Sequence, residues 1–156
     1  MSLTNNIMEQ LQKAPPDQAT DIRASDENLR MNLKLADWGR LGCLLARLDI
    51  EHTHEGRLKI DAAQISKRIS YLEERLEIIE SEGGEGRTIL RSSPPRVDGE
   101  VISYFEVVLE RSTRLSLVRY SYDPKIEERK PAPAPLARNT LERLVGDLIT
   151  MVEEVR

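Results

Sequence analysis

The chain reads as an α+β protein built on a mostly antiparallel sheet of about six strands, with two amphipathic helices on one face and a short N-terminal helix. Three observations carry this reading. The stretch Gly99 to Asp123 holds two β-branched and aromatic runs joined by the polar turn Arg111-Ser112-Thr113-Arg114. Val101, Ser103, Phe105, Val107 and Leu109 share one face of the first run, and Ile102, Tyr104, Glu106, Val108 and Glu110 share the other. In the second run Leu115 and Leu117 oppose Val118, Tyr120 and Tyr122. This is a hairpin, and because both its faces are partly apolar it belongs inside a sheet. The second observation is the strict alternation of Leu29, Met31, Leu33 and Leu35 with Arg30, Asn32 and Lys34, a strand with one dry face. The third is the stripe Leu141, Leu144, Val145, Leu148, Val152 and Val155, which recurs at helical spacing.

In chain order the first element is a short helix capped by Thr4 or Asn5, with Ile7, Met8 and Leu11 as its apolar stripe. Ala14-Pro15-Pro16 ends it, since proline has no N–H for the helical ladder. Residues 1–16 are therefore read as a helix and proline linker, and residues 17–156 as a single α+β domain. Thr20 to Ala24 make a short strand, and Ser25-Asp26-Glu27-Asn28 has turn chemistry before the alternating strand. Asp37-Trp38-Gly39-Arg40 is the next turn. Leu41 to Glu51 fits helix and strand equally well by spacing. Strand is preferred, because Gly39 and Gly42 weaken a helix and a strand here pairs with the one before it.

After a polar loop from His52 to Lys59, Asp61 caps a helix with Ile65, Ile69, Leu72 and Leu76 on its buried side; Leu76 to Glu80 then turns to strand. Gly83-Gly84-Glu85-Gly86 is a turn, Thr88 to Leu90 a short strand, and Ser92-Ser93-Pro94-Pro95 its stop. Pro124 to Pro135 is a charged and then Pro-Ala segment, read as a semi-extended crossover. The order is α-β-β-β-α-β-β-β-β-α, and most strands are joined by short loops, which argues against a parallel sheet. Two segments echo each other as strand, turn, strand, loop, helix. Leu33, Leu35, Leu45 and Arg47 align with Phe105, Val107, Leu117 and Arg119, so a duplicated ββα unit is an expectation.

Composition narrows the function classes. The chain has 156 residues, is 39% hydrophobic and only 4% aromatic, and carries a net charge of −4. Aliphatic residues must build the core, and an acidic chain is a poor general binder of nucleic acid. Cys43 is the only cysteine, which excludes an intrachain disulfide; set among Leu41, Leu44 and Leu45 it reads as a buried thiol. No apolar run is long enough for a membrane helix, and the first residues lack a signal peptide's pattern, so the expected location is cytoplasmic.

No motif for catalysis, metal or cofactor stands out. His52-Thr53-His54-Glu55, with Asp49 nearby, has the spacing of a polar loop as much as of a metal site. The glycine turn lacks the Lys-Ser/Thr of a phosphate loop and precedes a strand. Ser92 and Ser93 have no histidine near them in sequence. Arginines are dense in the sheet region: Arg87, Arg91, Arg96, Arg111, Arg114 and Arg119. With Tyr104, Tyr120 and Tyr122 they offer a surface, unless they are spent on cross-strand pairs with Glu100, Glu106 and Glu110.

The element order, small size and acidic charge resemble the secretion-chaperone-type α+β dimers of bacteria. The likeness lies in layout alone, and no site is transferred from it. The two-sided apolar hairpin and the lack of converging catalytic residues predict a non-enzymatic, chaperone- or adaptor-like module without cofactor or metal, expected as a homodimer. Such a module binds another protein or a second copy of itself. The candidate partner surface is Tyr104, Tyr120, Tyr122, Arg91 and Arg119. The alternative is a small-ligand- or RNA-binding regulatory domain using the same arginine and tyrosine face.

Overall fold

A computed structural model describes residues 2–53, 60–82, 86–110 and 114–154. The chain is α+β. Among the described residues, three helices accompany one antiparallel sheet of ten strands.

Helix α1 (Leu3–Lys13) begins two or three residues earlier than its pattern suggests. Ser2, not Thr4 or Asn5, is the N-cap, and its hydroxyl accepts the Asn5 N–H at 3.1 Å. Leu3, Ile7 and Leu11 are buried together, so the helix docks on the body of the protein. Strands β1 (Gln18–Ser25), β2 (Leu29–Trp38) and β3 (Gly42–His52) follow as an antiparallel meander. The ambiguous stretch 41–51 is thus a strand, with Leu45, Leu48 and Ile50 on its buried side.

Helix α2 (Ala62–Arg68) is capped by Asp61, whose carboxylate accepts the Ala63 N–H at 3.0 Å. It is shorter than the apolar stripe implied. Ile69 already ends it, and Glu73 reverses the chain with φ of 57°. Ile69, Leu72 and Leu76 are nevertheless buried, reached by irregular chain and by strand β4 (Arg75–Ser81) rather than by a continuous helix. Strands β5 (Arg87–Ser93), β6 (Arg96–Asp98), β7 (Val101–Glu110) and β8 (Arg114–Asp123) come next. The hairpin β7–β8 pairs Val107 with Leu117 and Glu110 with Arg114. Its turn, and the glycine turn at 83–85, lie outside the described residues. Helix α3 (Arg138–Glu154) closes the chain.

The main strand order is β1-β2-β3-β8-β7-β5-β4, so the hairpin sits inside the sheet as its two-sided apolar pattern requires. Ten strands replace the expected six or so because three short ones add to this path: β6, β9 (Glu128–Pro131) and β10 (Ala134–Ala137). These pair through the backbone, and β6 and β9 show no alternation in burial. Strands β9 and β10 change the shape of the sheet. Strands β3 and β8 pair over Leu48–Glu51 and Arg114–Leu117 and then diverge. Beyond that point β8 takes β9 at Tyr120–Asp123, while β3 takes β10 at Gly42–Leu45. The proline-rich segment read as a crossover fills this split.

One hydrophobic cluster unites Leu33, Leu48, Phe105 and Leu117 of the sheet with Ile7, Ile65 and Leu144 of the three helices. Leu35 faces Leu45 and Val107 faces Leu117 in equivalent positions of the two hairpins, yet the helices that follow differ, at 7 and 17 residues.

Candidate functional site

The sheet has a second face, made by the residues of opposite parity. On β7 these are Tyr104, Glu106, Val108 and Glu110, and on β8 Arg114, Ser116, Val118, Tyr120 and Tyr122. Strand β5 adds Arg87, Ile89 and Arg91, β3 adds Arg47, and β9 folds in with Arg129. Together they line a depression of about 630 Å³ in which five arginines meet three carboxylates, Glu106, Glu110 and Glu127. On a chain of net charge −4, this is a local concentration of positive charge.

Glu106 anchors one end. Its carboxylate is 4% exposed and accepts from Arg91 Nη2 at 2.8 Å and from Arg129 Nη1 at 3.1 and 3.2 Å. The same Arg129 nitrogen lies 3.3 Å from the Tyr104 hydroxyl. Each guanidinium also covers a ring, Arg91 at 4.5 Å from the Tyr104 centroid and Arg129 at 3.9 Å from that of Tyr120. The two rings are tilted, 6.1 Å apart. Burial disfavours the Arg129 charge, but hydrogen bonds to Tyr104 and Glu106 and the Glu106 charge outweigh it and hold the guanidinium well above its ordinary pKa.

A second cluster forms where β3 meets β8. Asp49 accepts from Arg47 Nε at 2.8 Å, from the Ser116 hydroxyl at 2.7 Å and from Arg114 Nη2 at 3.1 Å. Burial pushes the Asp49 carboxyl up; the hydrogen bonds from Arg47 and Ser116 and the Arg47 charge overcome this and bring it below the usual range. Between the clusters lies an apolar strip of Ile89, Val108 and Val118. The Nε–H groups of Arg91 and Arg114 are buried and have no hydrogen-bond partner.

Tyr104, Tyr120, Tyr122 and Arg91 therefore come together on this face. Arg119 does not join them. It faces Phe105 across the hairpin, which places it on the core side, where Glu73 binds it at 3.0 Å. Arg96 stands exposed on β6 and is not part of the lining, and Arg111 lies outside the described residues. The cross-strand pairing weighed from the sequence is real for Arg91 and Glu106, which are register partners. Arg47 and Arg129 were not legible as site residues: one lies on a strand of ambiguous pattern, the other in a segment with no periodicity. Only the pairing of Tyr122 with Arg129 brings the latter in.

The remaining candidates are dispersed. The Ser92 hydroxyl is turned into the core and accepts the Phe105 N–H at 2.8 Å. His52 ends β3, across β8 and β7 from β5. His54 and Glu55 lie outside the described residues. Among the described residues no group of three or more histidine, cysteine or acidic side chains is placed to hold a metal ion. Burial pushes the Cys43 thiol up to about 11. No described helix is long and apolar enough to cross a membrane. Comparison with family models, with curated proteins and with solved structures finds no match to this chain.

Proposed function

We propose that the protein is a non-enzymatic, adaptor-like module that holds an acidic segment of another protein on the open face of its sheet. The observation that carries this reading is the depression itself, with five arginines against three carboxylates in its lining and Asp49 at its edge, around an apolar strip. Positive guanidinium groups beside apolar floor suit a segment that is both acidic and partly hydrophobic. The rival reading is single-stranded RNA, which stacks its bases on aromatic rings. Tyr104 is only 8% exposed and lies beneath Arg91, so little of that ring is left for a base. This favours a protein segment.

A second copy of the chain is the other partner to consider. The face does not require one for cover, because Arg91 and Arg129 already lie over the two tyrosine rings.

The test is fluorescence anisotropy with a labelled glutamate-rich peptide and a lysine-rich control at low salt. The acidic peptide binds, the control does not, and affinity falls as salt is added. Arg87→Glu, at an exposed position, weakens binding about ten-fold or more without loss of fold. Equal affinity for both peptides, or none for either, contradicts the proposal.

A further inference from the structure

The arginines of the open face fall into two rows, and the rows set the spacing of the charges they would bind. Along β7, Glu106 and Glu110 are four residues apart on one face, a separation of about 13 Å at strand rise. Arg91 faces Glu106 across β5–β7, and Arg129 joins it from β9. Arg87 and Arg114 flank Glu110 in register, one on each side. The first row thus brings two guanidinium groups to Glu106, while in the second Arg114 reaches Asp49 and Arg87 stands exposed beside Glu110. Arg47 and Arg114 both bind Asp49 at the edge, and Glu127 is the remaining carboxylate of the lining. Midway between the rows, Ile89 and Val108 are register partners and form an apolar step.

Two of the guanidinium groups are bound in a way that leaves capacity. Arg91 reaches Glu106, and Arg114 reaches Asp49, through Nη2 only. Their Nε–H groups are buried without a partner, at opposite ends of the depression. A guanidinium held end-on in this manner satisfies Nε and Nη together when it turns side-on to a carboxylate, the bidentate geometry that carboxylates favour.

We propose that the segment taken by this face is extended and carries two carboxylates four residues apart, with an apolar side chain midway between them. An extended peptide has the same rise per residue as β7, and its alternate side chains point one way. Its first and fifth side chains therefore reach the two arginine rows, while its third meets Ile89 and Val108. The inference rests on the function proposed above and adds to it a charge spacing and a central contact.

The experiment is a set of short labelled peptides with glutamates two, four or six residues apart and leucine or serine between them, titrated by anisotropy. The four-residue spacing with leucine binds tightest, about ten-fold better than the two-residue spacing, because only it brings both carboxylates to guanidinium groups at once. Arg87→Gln removes that advantage, so that the two- and four-residue spacings bind within about two-fold of each other. Affinity that is independent of spacing overturns this inference while the acidic-segment reading stands. Absence of binding by every acidic peptide overturns both. Binding of an eight-carbon dicarboxylate with no peptide binding also overturns both, and assigns the face to a small anion.

Discussion

Glu106 is the one carboxylate buried among the described residues, and its two arginines make it costly to remove. Glu106→Gln leaves two guanidinium groups sharing a neutral amide. Breaking a buried pair this way is expected to destabilise the protein by about 2–3 kcal/mol, at the lower end because both arginines are partly exposed. Urea unfolding measures it, and a change under about 0.5 kcal/mol, the ordinary effect of a surface change, contradicts the role given to the pair. Asp49 supplies a pH dependence. Its carboxyl is lowered in the fold, so its contribution is complete above the unfolded value of about 4 and is lost as pH falls through the lower folded value. Asp49→Asn should flatten the acid limb of the stability curve below about pH 4, while an unchanged limb refutes this. Cys43, with its thiol raised to about 11, stays protonated at pH 8. A thiol reagent should modify it slowly in the native protein and quickly in denaturant. Tyr104 and Tyr120 were legible as sharing a face from parity within the hairpin, whereas the pairing of Arg91 with Glu106 depends on the register of β5 against β7, which spacing does not record. Parity also separates Arg119 from the two tyrosines, since it shares the face of Leu117. Its charge, not its position, made it a candidate.

The elements that were legible are those whose apolar residues repeat. Strands β2, β7 and β8 alternate, and α3 carries a stripe, because each buries one face against the same core. The rest depends on contacts that sequence spacing does not record. Helix α2 stops at Arg68 although the stripe continues, since buried positions can be reached by a bent chain as well as by a helix. Strands β9 and β10 lie where β3 and β8 diverge, held by backbone pairing together with Arg129 on Glu106 and the buried Ala134. Gly42 is the close contact in this arrangement: a Cβ there would meet the Leu136 carbonyl oxygen at 2.5 Å. Gly42→Ala is therefore expected to displace β10 and destabilise the protein by about 1–3 kcal/mol. Hydrogen exchange should show faster exchange across Ala134–Ala137 than across β7, and uniform protection would contradict it. At the N-terminus, Ile7 is fully buried although its helix is followed by two prolines. Ile7→Ala should cost about 2–5 kcal/mol, as for a core position rather than a tail.

On the scale of the whole molecule, the chain divides its sheet between two tasks. One face carries Leu33, Leu48, Phe105 and Leu117 into a core shared with all three helices. The other carries arginines and tyrosines around a depression and is partly covered by those arginines themselves. The acidic balance of the chain as a whole hides this face in any count of charges; alternation along β5, β7 and β8 is what gathers it. The decisive measurement is an NMR titration of the labelled protein with an acidic peptide, following the arginine Nε–H signals and the backbone amides together. If the open face is the binding site, the Nε–H signals of Arg91 and Arg114 shift with the amides of β5, β7 and β8, and those of α1 and α3 stay in place. Shifts confined to the helices or to the β4 edge, with the arginine signals unmoved, would contradict it.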